Sequence, residues 1–257
     1  MTLKPHKHGI VTVESWKQLR PPKKGDIQWR DGRSAKELAK YITGSFPAVP
    51  TEIEQALAAL IPSDASFDWD AEYVTPLPGT GEGRNHDAIF HNDQLLVTIE
   101  AKVDETLGNR VGEELQNASV NKLQRVGALL GMLFREGFKG YQDLRYQLLT
   151  AATGTLIEAE RLHLHTAVMI VLVFKNSDAS QEKLDANHRD VADFLTATGA
   201  YDEAGFKVIP NHTDVKLYFK EIVVSNDPSD ERAELIRRFE DIMERNQEVF
   251  QRLAEDD

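Results

Sequence analysis

The chain has 257 residues, 41% of them hydrophobic and 28% charged, with a net charge of −12. That is enough to bury a sizeable core in one large α/β domain or two small ones. There is no cysteine, which excludes disulfides, thiolate metal sites and cysteine nucleophiles. The longest strongly apolar run, 167–174, is too short to cross a bilayer, and no apolar h-region follows the N-terminal MTLKPHKHGI. The expectation is a cytoplasmic protein with no membrane partner.

Residues 1–33 mix Pro, Lys and Gly and read as an N-terminal extension, an arm or edge strand, before the body of a single domain spanning 1–257. Ser34-Ala-Lys-Glu37 has the pattern of a capping box opening a helix through about Ile42, and Thr51-Glu-Ile-Glu54 that of a second, closed by Pro62. Tyr73 to Leu77 is a short strand candidate that runs into the GTGEG turn. Strands are expected at Asp87–His91 and Leu95–Val103, joined as a hairpin by Asn92-Asp93. In the second strand Leu95, Val97, Ile99, Ala101 and Val103 share one face, and the other turns polar at Glu100 and Lys102. Such a gradient suits a buried strand that emerges into a site.

After Gly108 come two long helical patterns, one through Leu115, Leu123, Val126, Leu130 and Leu133 and one over Leu144–Ala159. His165–Phe174 is nearly continuously β-branched and apolar, as in a strand covered on both faces. A helix at Gln181–Ala197, a strand at Val215–Val224 and a charged helix over about 228–254 complete the order. That last helix has an apolar stripe suited to the body of the protein or to a second copy in a homodimer. The whole predicts an α/β fold with a mixed sheet flanked by helices.

Asp87 and the Glu100-Ala101-Lys102 tripeptide carry the chemistry. Period two puts Glu100 and Lys102 on the same side of their strand, beside the acid from its hairpin partner. Asp87 and Glu100 are hard oxygen ligands suited to Mg²⁺ or Mn²⁺, with the Ala101 carbonyl as a third donor. Lys102 reaches the same space, where it can orient or help deprotonate a water, or offset charge on a phosphate. The pattern points to phosphodiester hydrolysis. A Glu-x-Lys arises by chance about once in a chain of this length, and Asp214-Val-Lys216 is a decoy of similar form. The decoy begins its strand, however, and follows no hairpin partner ending in an acid.

Asp87, a gap of 12 residues and then Glu100-Ala101-Lys102, set between a helix–strand unit and a following helix, resembles the PD-(D/E)XK nuclease superfamily. The resemblance covers roughly 50–175, with His86 where the eponymous proline stands. The run RYQLL…IEA followed by AVMIVLVF is similar to a bacterial branch of that superfamily. It implies a restriction-endonuclease-like fold, Mg²⁺ or Mn²⁺ as cofactor, and nucleic acid, DNA in the first instance, as partner. It also implies a site glutamine in the helix after the catalytic strand, Gln147, and an acid from the first core helix, Glu54. Thr51 offers Glu54 a capping role instead. The alternative to a nuclease is a catalytically inactive fold of this type that binds nucleic acid or protein. The −12 charge motivates that alternative, since DNA affinity draws mainly on Lys and Arg.

Arg145, on the opposite border of its helix stripe from Gln147, reads equally as a site residue in place of Gln147 or as a surface cation. Other features read as structural: Glu105 as a solvated turn residue, His163 and His165 as edge histidines, and Trp16, Trp29 and Trp69 as packing. The GTGEG run reads as a flexible turn, because no helix N-terminus follows it.

Overall fold

Burial on both faces organises the molecule around one strand. The computed structural model describes residues 1–7, 9–19, 29–175 and 180–225. The run TAVMIVLVFK forms β5 (Thr166–Lys175), whose residues from Ala167 to Phe174 are all buried. β5 lies between β4 (Leu96–Lys102) and β8 (Lys216–Ser225), parallel to both. A strand flanked on both sides and covered on both faces needs apolar side chains at every position, which explains its unbroken hydrophobicity.

The remaining strands extend this centre into an eight-stranded mixed sheet, in the order β1-β2-β3-β4-β5-β8-β7-β6. β2 (Ser66–Thr75), β3 (Arg84–His91) and β4 form an antiparallel meander. β1 (Thr2–Pro5) runs parallel to β2 at one edge, and the β6–β7 hairpin (Tyr201–Glu203, Phe206–Ile209) closes the other. Helices cover both faces. On one, Trp16 of α1 (Val13–Leu19), Leu38 and Ile42 of α2 (Ser34–Ser45), and Ile53 and Leu57 of α3 (Thr51–Leu57) pack with Val97, Ile99 and Ala101 of β4. On the other, Val126 and Leu129 of α5 (Val120–Leu133), Leu148 and Leu156 of α6 (Tyr146–Arg161), and Phe194 of α7 (Gln181–Thr198) pack with Met169 and Val171. The fold is mixed α/β.

Among the described residues the expected elements are present, with shifted limits and three corrections. The single helix expected across Leu115–Leu133 is two, α4 (Val111–Leu115) and α5, because Asn117 takes a left-handed φ of 58° and Ser119 caps α5 by accepting from the Lys122 N–H. Neither expected capping box forms. Arg33 and Pro50 occupy the cap positions without side-chain caps, while Glu37 accepts from the Gly32 N–H at 2.8 Å. The N-terminal extension supplies the expected edge strand, β1, and adds a helix, α1, that was not expected. The helix expected over about 228–254 lies outside the described residues, as does any surface it offers a second copy.

Leu172, fully buried at the middle of β5, tests the centrality of that strand. Leu172→Ala is expected to lower unfolding free energy by about 2–5 kcal/mol in urea titrations.

Candidate active site

The site begins where two strands part. β3 and β4 pair from His91↔Leu96 to Ala88↔Ile99, and beyond that point the ladder stops. Asp87 is the first β3 residue past the end. It fills the place of the missing ladder bond with its side chain, accepting the Ala101 N–H on Oδ2 at 2.8 Å. In a strand the N–H and C=O of one residue project to the same side, so the Ala101 carbonyl also faces the gap beside Asp87.

The partner strand β2 bends at the same level. Ala71 pairs with Ala88 and Tyr73 with His86, and Glu72 between them has a φ of 51°, uncommon for a residue with a side chain. Ala71 packs on one face of the sheet and Tyr73 on the other, so the kink at Glu72 reverses the strand at the level of Asp87 without a change of register. The Glu72 carboxylate takes the Asn85 amide at 2.8 Å and adds negative charge next to Asp87. Glu72 was not singled out from sequence; an acid between two strand-forming residues carries no mark of a positive φ.

Glu100 and Lys102 emerge from β4 on the α6 side, as period two requires. Lys102 Nζ lies 2.7 Å from Glu100 Oε1, and Gln147 Nε2 donates to the same oxygen at 2.6 Å. Gln147 sits in the first turn of α6 beside the loop at Gly108, whose φ of 75° suits a residue without a side chain. The other oxygen of Glu100, Oε2, is paired with Arg84 Nη2. Arg84, at the head of β3, was not anticipated. Its spacing from Glu100 is meaningful only once the hairpin register is known.

The electrostatics divide the two acids. Burial, then the charges of Glu100 and Glu72, push the Asp87 carboxyl up to about 8, against the pull of Lys102 and the Ala101 N–H. Burial also pushes Glu100 upward, but Arg84 and Lys102 outweigh it and hold this carboxyl below its ordinary range. One acid is ionised and doubly paired; the other keeps its proton around neutrality. Such divergence between neighbouring carboxyls is typical of functional sites.

A crevice of about 490 Å³ opens over this cluster, lined among others by Arg84, Lys102, Gln147, Tyr146 and Arg125. One wall is the GTGEG loop. Arg125 of α5 donates to the carbonyls of Pro78, Thr80 and Glu82 (3.0, 2.6 and 2.8 Å), fixing a segment expected to be a flexible turn. Gly83 is required at its end, since a Cβ there would stand 2.3 Å from the Thr75 carbonyl oxygen.

The structure thus brings together Asp87, Glu100, Ala101, Lys102 and Gln147. It does not bring Glu54: that carboxylate takes the Met1 ammonium. Met1 precedes Thr2, which is in register with Ser66, roughly 20 Å along β2 from Glu72. The helix α3 that carries Glu54 serves the far end of the sheet. Arg145 is not a free surface cation; it binds Asp190 at 2.7 Å and the Gly108 carbonyl at 2.9 Å, supporting the loop in front of Gln147. Glu105 accepts the Val103 N–H at 2.9 Å and lies within reach of Ser34 at the start of α2, a structural role. The decoy Lys216 pairs with Glu203 at the surface. His86 packs against Gly154 of α6, away from Asp87, and burial followed by Arg84 keeps its ring neutral. Trp16 and Trp69 are core residues with ring centroids 5.8 Å apart.

With this geometry in place, comparison with known proteins adds one finding. A family model described as a domain of unknown function, DUF6946, matches residues 9–225. The chain belongs to the DUF6946 family. No curated protein and no solved structure matches it. The match to this DUF6946 chain spans the whole cluster, from Glu72 through Gln147, and every strand of the sheet except β1.

The Asp87 carboxyl provides a signature. A folded aspartic acid that holds its proton to about pH 8, against about 4 in the unfolded chain, makes stability fall as pH rises through that window. Asp87→Asn, which cannot ionise, removes this slope. Its Tm relative to the parent should therefore be more favourable at about pH 8 than at about pH 5, as read by differential scanning calorimetry at both values.

Proposed function

We propose that this crevice is a divalent-metal-dependent phosphodiesterase site acting on nucleic acid, DNA in the first instance, on a restriction-endonuclease-like fold of the PD-(D/E)XK type. The observation that carries the reading is the meeting of Asp87, Glu100, Lys102 and Gln147 at the point where β3 leaves β4, with Lys102 and Gln147 lining the crevice beside the two acids. The meander β2–β3–β4, the crossover through α6 and the parallel return in β5 support the same reading.

The donor set fits Mg²⁺ or Mn²⁺ in kind: two carboxylates and the Ala101 carbonyl, all hard oxygens. The fit also has an energetic basis. Asp87 retains its proton because burial and two neighbouring carboxylates disfavour its charge, and a divalent cation would reverse that preference. When bound, the cation would supply Lewis-acid polarisation of a phosphate oxygen.

The chain's own residues do the rest. Gln147 fixes the rotamer of Glu100 through its amide. Lys102 keeps an ammonium beside Glu100 Oε1, placed to orient an attacking water or to offset charge growing on the phosphate. Arg84 holds Glu100 Oε2 and, lining the crevice, has a guanidinium suited to a phosphate in two-pronged fashion. Phosphate entry therefore gives Arg84 a second anion and loosens its hold on Glu100. Arg125, already committed to three loop carbonyls, shapes the wall.

A second reading draws on the same pairing. With Arg84 and Lys102 both on Glu100, the carboxylate is neutralised without a metal, as suits a nuclease-like fold that binds nucleic acid or protein without cutting it. The net charge of −12 also favours this reading, because affinity for a polyanion would then depend on a local basic crevice alone.

Two measurements separate the readings. Purified protein is expected to cleave DNA or RNA in Mn²⁺, and Lys102→Ala to reduce the rate by about 10²–10⁴-fold. Cleavage that survives Lys102→Ala removes the proposed mechanism, and no cleavage with any metal favours the binding module. In calorimetry Mn²⁺ should bind with release of protons from Asp87, and Asp87→Asn should abolish binding. Arg84→Gln should leave Mn²⁺ binding intact or tighter, since it removes the competing cation.

A further inference from the structure

Far from the crevice, where β1, β2 and β3 lie side by side, three other side chains of metal-ligating type meet. His6 follows the last residue of β1, with its N–H on the Trp69 carbonyl at 3.0 Å. Asp68 and His91 are direct cross-strand partners in β2 and β3. One ligand atom from each of His6, Asp68 and His91 lies within 4.8 Å of the other two. The alternate residues Phe67, Trp69 and Phe90 are buried in the core beneath them, so period two turns Asp68, Asp70 and His91 to the opposite face.

We propose that His6, Asp68 and His91 form a three-ligand site for zinc with a solvent-facing fourth position. Two imidazoles and one carboxylate are a donor set for a borderline cation such as Zn²⁺, and not for Mg²⁺ or Ca²⁺, which take oxygen. The site is also supported from behind. Asp70 is nearly fully buried (3% exposed), is held by the Lys7 N–H at 2.8 Å, and places Oδ2 3.0 Å from His6 Nδ1. An acid on Nδ1 selects the tautomer that carries its proton there, which leaves Nε2 with its lone pair outward. This carboxylate–histidine relay is the arrangement that orients histidines in zinc sites.

The second ring is prepared differently. The His91 ring packs edge-to-face against that of His6 with centroids 5.4 Å apart. Burial lowers its affinity for a proton, which favours the neutral form that ligates metal. Ligand atoms around a tetrahedral zinc stand about 3.4 Å apart, given bonds of about 2.0–2.2 Å. Asp68 is exposed, and rotation of its side chain would close the remaining distance while His6 stays on Asp70. Zinc there would clip the short edge strand β1 to β2 and β3, acting on a part of the sheet that the crevice does not touch.

The test titrates Zn²⁺ into the untagged full-length chain and follows affinity, Tm and, with Co²⁺ as a substitute, visible absorption. One Zn²⁺ per chain and a rise in Tm are expected. His6→Ala and His91→Ala should each abolish tight binding while the far-ultraviolet circular dichroism stays that of the parent. Asp70→Asn should weaken binding by about 10–100-fold, and Asp87→Asn at the crevice should leave it unchanged. Absence of Zn²⁺ binding overturns the proposal. So does binding that persists in both histidine variants, or binding that only Asp87→Asn removes.

Discussion

Two carboxyl groups, Asp87 and Glu100, are held side by side where β3 leaves β4, and much of the local structure can be understood as a response to their mutual repulsion. Sheet hydrogen bonding ends where Asp87 needs the Ala101 N–H for itself. The positive φ at Glu72 kinks β2 at the same level and brings in a third acid. The apolar strands below set the position of these groups: Val97, Ile99, Ala101 and all of β5 between Ala167 and Phe174 are buried, so neither Glu100 nor Lys102 can move without disturbing the core.

The two acids meet the problem in opposite ways. Glu100 is ionised and doubly paired, by Arg84 and Lys102, with Gln147 completing its hydrogen bonds. Asp87 forms no ion pair among the described residues, and burial with the charges of Glu100 and Glu72 outweighs the pull of Lys102, so it retains its proton. Buried ion pairs of this kind add little net stability, because desolvation consumes most of the Coulombic gain, and a protonated aspartic acid adds less. An apolar cluster would serve the fold better. The proposed function gives the arrangement a purpose: a crevice arranged for a cation and a phosphate, with Arg84 and the Asp87 proton as occupants that those ligands replace.

How much of this was legible in the sequence depended on the range of each signal. Period two placed Glu100 and Lys102 on one side of β4, and the β-branched run 166–174 marked the central strand, because both patterns are local and repeat over many residues. Gln147 could be placed only through a family resemblance, since its meeting with Glu100 depends on how α6 packs. Arg84 and Glu72 escaped notice because their roles come from hairpin register and from one unusual backbone angle. Glu54 misled for the complementary reason: position in the first helices does not reveal which end of the sheet those helices cover. The short β6–β7 hairpin was missed because strands of three or four residues carry too little pattern to stand out.

The most direct test of the central claim is a crystal structure grown in Mn²⁺ and recorded at a wavelength where manganese scatters anomalously. The account predicts a single strong anomalous peak in the gap between β3 and β4, bonded to Asp87, Glu100 and the Ala101 carbonyl, with the Arg84 guanidinium withdrawn from Glu100. An empty gap at saturating Mn²⁺, with Arg84 and Lys102 still on Glu100, would contradict it.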